Sequence, residues 1–158
     1  MAKELILIRH GHRDVANGRL QDNDLTEKGI AQAEAFSQTV GDALGKKRLR
    51  IVSSPKLRCL STVAPIGSRL QQAPEILSQL DEQQGDETDE GFFRRIQTFT
   101  EDWKQSPEDI WVACSHGDWI PVFLDFLVGQ EHHLRKGAWC HLSQNPDEIL
   151  GFGPKETY

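Results

Sequence analysis

Three short strings hold most of the residues in this chain that could do chemistry together. They are Arg9-His10-Gly11-His12-Arg13, Ser53-Ser54-Pro55-Lys56-Leu57-Arg58 and Ser115-His116-Gly117-Asp118. Arginine offers a planar fork of donors that matches phosphate oxygens bidentately, and two arginines can neutralise a phosphoryl dianion. A neutral imidazole can attack phosphorus and form a covalent intermediate. A second histidine can stabilise the oxygens of an in-line transition state. Gly11 and Gly117 each follow a histidine, where a missing side chain lets backbone or ligand approach closely. The N–H groups after His116 open a predicted helix, and a helix N-terminus favours anions. The three strings together describe an anion site that contains an imidazole.

The elements around these strings explain how they could meet. Leu5-Ile6-Leu7-Ile8 is a fully apolar run and reads as a buried strand. A polar loop follows from Gly11 to about Asp24. Thr26 stands at a helix N-cap, with Ile30, Ala33, Phe36, Val40, Ala43 and Leu44 at three- and four-residue steps and Gly45 at the expected end. Residues 49–53 read as a second strand, and Pro55 can open the next helix, to about Gln71. Residues 78–89 have the composition of a loop. Phe92, Ile96, Phe99 and Trp103 share one face of a helix over 92–103. Residues 110–114 form another apolar strand, and an apolar helix after Asp118 ends at Gly129. Two strands, 138–142 and 148–152, close the chain around the turn Asn145-Pro146-Asp147. Strands alternating with helices imply an α/β domain, with a mostly parallel sheet covered by helices on both faces. Ligands of such sheets sit at the C-terminal strand ends. Each of the three strings directly follows a strand, so all three arrive at one sheet edge.

Composition narrows the class. The 158 residues suit one domain, 1–158, with a core that needs no disulfide or metal. Eighteen Lys and Arg against 24 Asp and Glu give a formal net charge of −6, which argues against nucleic acid or a membrane surface as the main partner. The N-terminus has only four strongly apolar residues in a row, too few for a signal peptide or a membrane span. Three widely spaced cysteines, Cys59, Cys114 and Cys140, fit a reducing compartment. The expected location is cytoplasmic. The sequence does not specify an oligomeric state.

Arg9-His10-Gly11 after an N-terminal apolar strand resembles the signature of the histidine phosphatase superfamily, whose fold is the phosphoglycerate-mutase-like three-layer α/β/α sandwich. The stretch Leu25-Thr26-Glu27-Lys28-Gly29-Ile30-Ala31-Gln32-Ala33 looks like that family's Leu-Thr-x-x-Gly-x-x-Gln-Ala helix start. Residues 53–62 look like its second-arginine segment. Leu80-Asp81-Glu82 and Gly85-Asp86-Glu87-Thr88 are similar to its acidic loop, and Ser115-His116-Gly117 to its second-histidine motif. Arg-His-Gly alone is a weak signal, whereas the ordered set spans nearly the whole chain. The resemblance implies His10 as a nucleophile that becomes phosphohistidine. It implies Arg9, Arg58 and His116 as holders of the phosphoryl oxygens, with Gly117 and Asn17 as further phosphate-binding positions. Glu82 would be the general acid and then the base that activates water. The implied reaction is hydrolysis of a phosphomonoester or phosphoprotein, without metal or other cofactor.

The chain departs from the family pattern in places. His12-Arg13 stands where a Glu-Ser/Thr pair is usual, and Asn17 sits one residue late. The segment between the second and third helices is short, so the lid of sugar-phosphate mutases is missing. An open site is similar to that of the short bacterial phosphohistidine phosphatases. Asp118 competes with Glu82 for the acid, although it also suits a helix N-cap. The run 81–87 could simply be solvated. His12 and Arg13 either extend the anion pocket or are solvated loop residues. His132-His133-Leu134-Arg135-Lys136 reads as a surface patch at a helix end, Cys59 as a small packed residue, and the tryptophans at 103, 111, 119 and 139 as core.

Other functions can be weighed on the same residues. A cysteine phosphatase needs arginine six residues after its cysteine, and Pro65, Ile120 and Pro146 occupy those positions. Asp22-Asn23-Asp24-Leu25-Thr26 matches an aspartate-nucleophile string but follows no apolar strand. Gly41 to Lys46 is one residue short of a P-loop. A metal-dependent hydrolase built on His10-x-His12 with His116 and Asp118 is the main enzyme alternative, although two arginines would repel a metal. A catalytically weak module that binds a phosphorylated ligand is the non-enzymatic one.

Overall fold

A computed structural model describes residues 3–154 except 17 and 45. Its strands and helices are β1 (Glu4–Arg9), α1 (Glu27–Leu44), β2 (Leu49–Ser53), α2 (Leu57–Leu70), β3 (Glu75–Ile76), α3 (Asp89–Gln105), β4 (Ile110–Ser115), α4 (Trp119–Val128), β5 (Trp139–Ser143) and β6 (Glu148–Gly153). A single 3-10 turn, Ser78–Leu80, precedes α3. The six strands form one sheet in the order β3-β2-β4-β1-β5-β6. Four of them are mutually parallel, β5 runs antiparallel to β1, and β6 runs antiparallel to β5.

Alternation along β1 assigns the two faces, because successive side chains of a strand point to opposite sides. Leu5 and Leu7 pack with Trp111, Ala113, the α3 stripe Phe92, Ile96, Phe99 and Trp103, and α4. Ile6 and Ile8 pack with Val112, Cys114, Phe36 and Val40 of α1, and Val63 and Ile66 of α2. The result is the expected α/β/α layering. Trp119 and Phe123 stack within α4, and Phe99 meets both edge-on.

The predicted helix stripe of α1 needs two corrections. Ile30 is 52% exposed and Ala43 is also exposed, because the stripe centres on Ala33, Phe36, Val40 and Leu44 and both lie off its axis. Gly45 lies outside the described residues. Pro55 precedes the helix it was expected to open, whose N-cap is Lys56. Trp139 is only partly buried, since it sits on an antiparallel strand near the sheet margin, against Phe36. The other three tryptophans are core.

Register brings the three strings level. Arg9 pairs with Ser115, and Cys114 pairs with both Ile8 and Ser53. The chain leaves β1 for α1 on one face and β4 for α4 on the other. The crevice between oppositely directed connections is where open α/β sheets bind ligands.

Candidate active site

His10 and His116 leave adjacent central strands and face each other edge-on, with ring centroids 5.4 Å apart. His10 is 4% exposed and His116 2%. The Nδ1 atom of His10 lies 2.9 Å from the Gly11 carbonyl oxygen. A carbonyl can only accept, so Nδ1 carries the proton and Nε2 carries the lone pair. Burial, followed by the charges of Arg58, Arg9 and Arg13, pushes the pKa of His10 down to about 3. The ring is therefore neutral near pH 7, with its free nitrogen available as a nucleophile.

The Nε2 atom of His116 lies 2.8 Å from Ser54 Oγ. Burial, then Arg58 and His10, pushes its pKa down to about 2, so it too is neutral. A hydroxyl can donate or accept, and where Ser54 donates to Nε2 the His116 proton resides on Nδ1. Arg9 donates through Nη1 to the Leu134 carbonyl at 3.0 Å. Its guanidinium lies against Gly117, where an added Cβ would come within 2.7 Å of Arg9 Cζ. That close approach, rather than backbone freedom, is what glycine provides at 117. Arg58 is 1% exposed and its Nη2 meets Glu82 Oε2 at 2.9 Å, with Asp22 Oδ1 3.9 Å from Nη1.

Only three buried side-chain nitrogen or oxygen atoms among the described residues lack a partner: Arg9 Nε, Arg58 Nε and His116 Nδ1. The two arginine atoms are donors, His116 Nδ1 is one when it carries the ring proton, and all three belong to this site. Buried polar groups are rarely left unpaired, so an unpaired set calls for an explanation. A tetrahedral oxyanion would satisfy such donors.

The acidic loop is not a solvated run. Arg95 of α3 donates to the carbonyls of Gln79, Asp81 and Glu82 and forks onto the Glu87 carboxylate at 2.7 and 2.9 Å. Ser115 Oγ donates to the Leu80 carbonyl. The loop is thereby fixed with Glu82 Oε2 3.8 Å from His116 Nδ1. Asp118 holds the N-cap position of α4, but its side chain makes no capping bond. Its carboxylate accepts the Gln83 N–H at 3.0 Å instead, which ties the acidic loop to the start of α4. Desolvation, with Glu82 nearby, pushes the Asp118 carboxyl above its ordinary value.

His12 turns away from the metal arrangement considered above, with Nδ1 2.8 Å from Thr26 Oγ1. Among the described residues no three His, Cys, Asp or Glu side chains are grouped to hold a metal. Arg13 bonds the carbonyls of Gln21 and Arg19. Asn17 lies outside the described residues. The 132–136 segment is more than a surface patch. Leu134 supports Arg9, and Gly137 N–H donates to the Arg9 and His10 carbonyls at 3.1 and 3.0 Å. The sequence reading also missed Ser54, Thr62 and Arg95 as supports. Thr62 Oγ1 accepts the Gly11 N–H at 2.9 Å and donates to the Arg58 carbonyl, linking two of the three strings. Nothing local marks these residues, because their partners are distant in sequence.

The buried neutral histidines carry a stability consequence. In the unfolded chain a histidine titrates at about pH 6.5. Both folded values lie far below, so the unfolded state binds more protons as pH falls through that range, and stability falls with it. Calorimetry should show no contribution from these groups above about pH 7.5 and a declining melting temperature from about pH 6.5 to 5. The decline should be shallower in His116→Gln.

Comparisons with known proteins identify the family. A family model for the histidine phosphatase superfamily (branch 1) matches residues 5–91. The chain belongs to that superfamily, and is a phosphatase by class. No curated protein sequence matches it significantly. Among solved structures, it resembles an Escherichia coli K-12 protein provisionally assigned as an alpha-ribazole-5'-P phosphatase. That match has a TM-score of 0.80 at 18% identity and covers 98% of this chain and 97% of that one. It also resembles the phosphoserine phosphatase of Entamoeba histolytica in complex with 3-phosphoglyceric acid, at TM-score 0.77, 20% identity and 98% of both chains. A mycobacterial glucosyl-3-phosphoglycerate phosphatase gives TM-score 0.73 at 21% identity over 92% of both chains. At these identities the likeness concerns the fold. No helix among the described residues is long and apolar enough to cross a membrane.

Proposed function

We propose that the chain, acting as one domain, is a metal-independent phosphatase that hydrolyses small phosphomonoesters or phosphoprotein through phosphohistidine on His10. The three unpaired buried nitrogen atoms beside a neutral imidazole carry this reading. Arg9, Arg58 and His116 bind the phosphoryl oxygens. The His10 Nε2 lone pair attacks phosphorus as the ester P–O bond breaks, and a carboxyl proton from Glu82 passes to the leaving oxygen. Water then attacks the phosphohistidine, giving its proton to Glu82. The P–N bond breaks and inorganic phosphate leaves. A cytoplasmic location belongs to the same proposal, supported by three buried free cysteines. Hydrolysis of p-nitrophenyl phosphate in excess EDTA tests the reading. Activity should survive chelation, and its loss would favour a metal hydrolase.

Glu82 also rests on Arg58, where an incoming phosphoryl dianion must displace it. Glu82→Gln is expected to lower kcat about 100-fold. By removing a competing charge from Arg58, it should also tighten inhibition by inorganic phosphate. The raised Asp118 carboxyl supports a second reading, in which Asp118 is the proton donor. Parallel kcat measurements on Asp118→Asn separate the two, because the larger loss falls on the true acid.

A further inference from the structure

The mouth of the site carries more positive charge than one phosphoryl group requires. Gln32 Nε2 donates to the Lys136 carbonyl at 3.0 Å, and Gly137 N–H donates to the carbonyls of Arg9 and His10. Lys136 is thereby set between Arg9 and the first turns of α1, which carry Lys28. Arg13 Nη2 donates to the Arg19 carbonyl at 2.9 Å, which ties these two residues together. Burial, then Arg9, Arg19, Arg13 and Lys28 in that order, pushes the Lys136 ammonium pKa down. These cations repel one another.

They also lack the close carboxylate partners found elsewhere in the molecule, and Arg13 feels Glu82 and Asp22 only beyond ion-pair distance. Arg48, Arg50, Arg58, Arg69, Arg94 and Arg95 each meet a carboxylate. Among the described residues, Arg13, Arg19, Lys28 and Lys136 form no such pair. In a chain of net charge −6, this concentration of cations without a close carboxylate at one sheet edge calls for an anion.

We propose that Arg13, Arg19, Lys28 and Lys136 form a second anion subsite that recognises the leaving group, so that preferred substrates carry a further carboxylate or phosphate. This rests on the phosphatase reading above for its first subsite. The second subsite adds long-range attraction as well as contact.

Three esters whose leaving groups share a two-carbon frame and differ in the second group test it: ethyl phosphate, phosphoglycolate and ethylene glycol bisphosphate. Calorimetric dissociation constants are measured on His10→Ala, or on His10→Gln if the alanine variant does not fold, so that turnover does not interfere. Phosphoglycolate or the bisphosphate should bind at least about 10-fold more tightly than ethyl phosphate. Adding Lys136→Ala should reduce that ratio to about 3-fold or less. The anion that gains more identifies the second group as carboxylate or phosphate. Equal affinity for the three esters, no binding of any, or a ratio indifferent to Lys136 overturns the subsite. Phosphate release by the wild type is followed separately. Discriminating binding without release keeps the subsite and overturns the phosphatase reading.

Discussion

His10→Ala is expected to lower kcat/KM by about 10⁴-fold or more, because it removes the atom that would carry the phosphoryl group. The effect should appear in kcat, since Arg9, Arg58 and His116 remain to bind the substrate. The fold should survive. His10 contributes one side-chain hydrogen bond, to its neighbour Gly11, while the hydrophobic clusters lie below it on both faces of the sheet. Steady-state kinetics with p-nitrophenyl phosphate, paired with a thermal melt, checks both parts. Residual activity within 10-fold of wild type would be about 1.4 kcal/mol of transition-state stabilisation, far too little for a nucleophile.

Arg58→Met separates activity from stability. The arginine is 1% exposed, and its Nε has no partner. A buried charge with an unpaired donor costs stability, and an unbranched apolar side chain of similar length removes that cost. The carboxylates that Arg58 leaves behind can hydrate, because the Glu82 and Asp22 side chains are 37% and 48% exposed. The melting temperature should therefore change by no more than about 5 °C. Activity should fall about 1,000-fold, as expected on removing a preorganised donor to the transition-state oxygens. A variant that unfolds, or one that keeps activity within 10-fold, contradicts this role.

The strand ends were the most legible part of the molecule. Leu5 to Ile8, residues 49–53 and the apolar run from Ile110 declare buried strands by composition. An α/β alternation then leaves one edge for Arg9-His10, Arg58 and Ser115-His116 to share. The α3 stripe was equally clear, because Phe92, Ile96, Phe99 and Trp103 repeat at helical spacing and are all buried. β3 was not legible. It has two residues, Glu75 and Ile76, both exposed, and it exists only by pairing with β2. The acidic loop was ambiguous for a related reason. What turns Asp81 to Glu87 from a solvated run into a fixed wall is Arg95, a residue lying between Phe92 and Ile96 with nothing local to mark it. Asp118 suited an N-cap by type and position, yet Gln83 from the acidic loop captured its carboxylate. Local patterns placed the groups that could do chemistry, whereas long-range hydrogen bonds decided how they are held.

The most direct test is to look for the covalent intermediate itself. Wild-type enzyme turning over p-nitrophenyl phosphate in excess EDTA is quenched rapidly in alkali and examined by intact-protein mass spectrometry and peptide mapping. His10 should gain one phosphoryl group, stable to alkali, labile to acid and missing from His10→Ala. A wild-type enzyme that turns over substrate with no phosphoryl adduct, or an adduct that persists in His10→Ala, would contradict it.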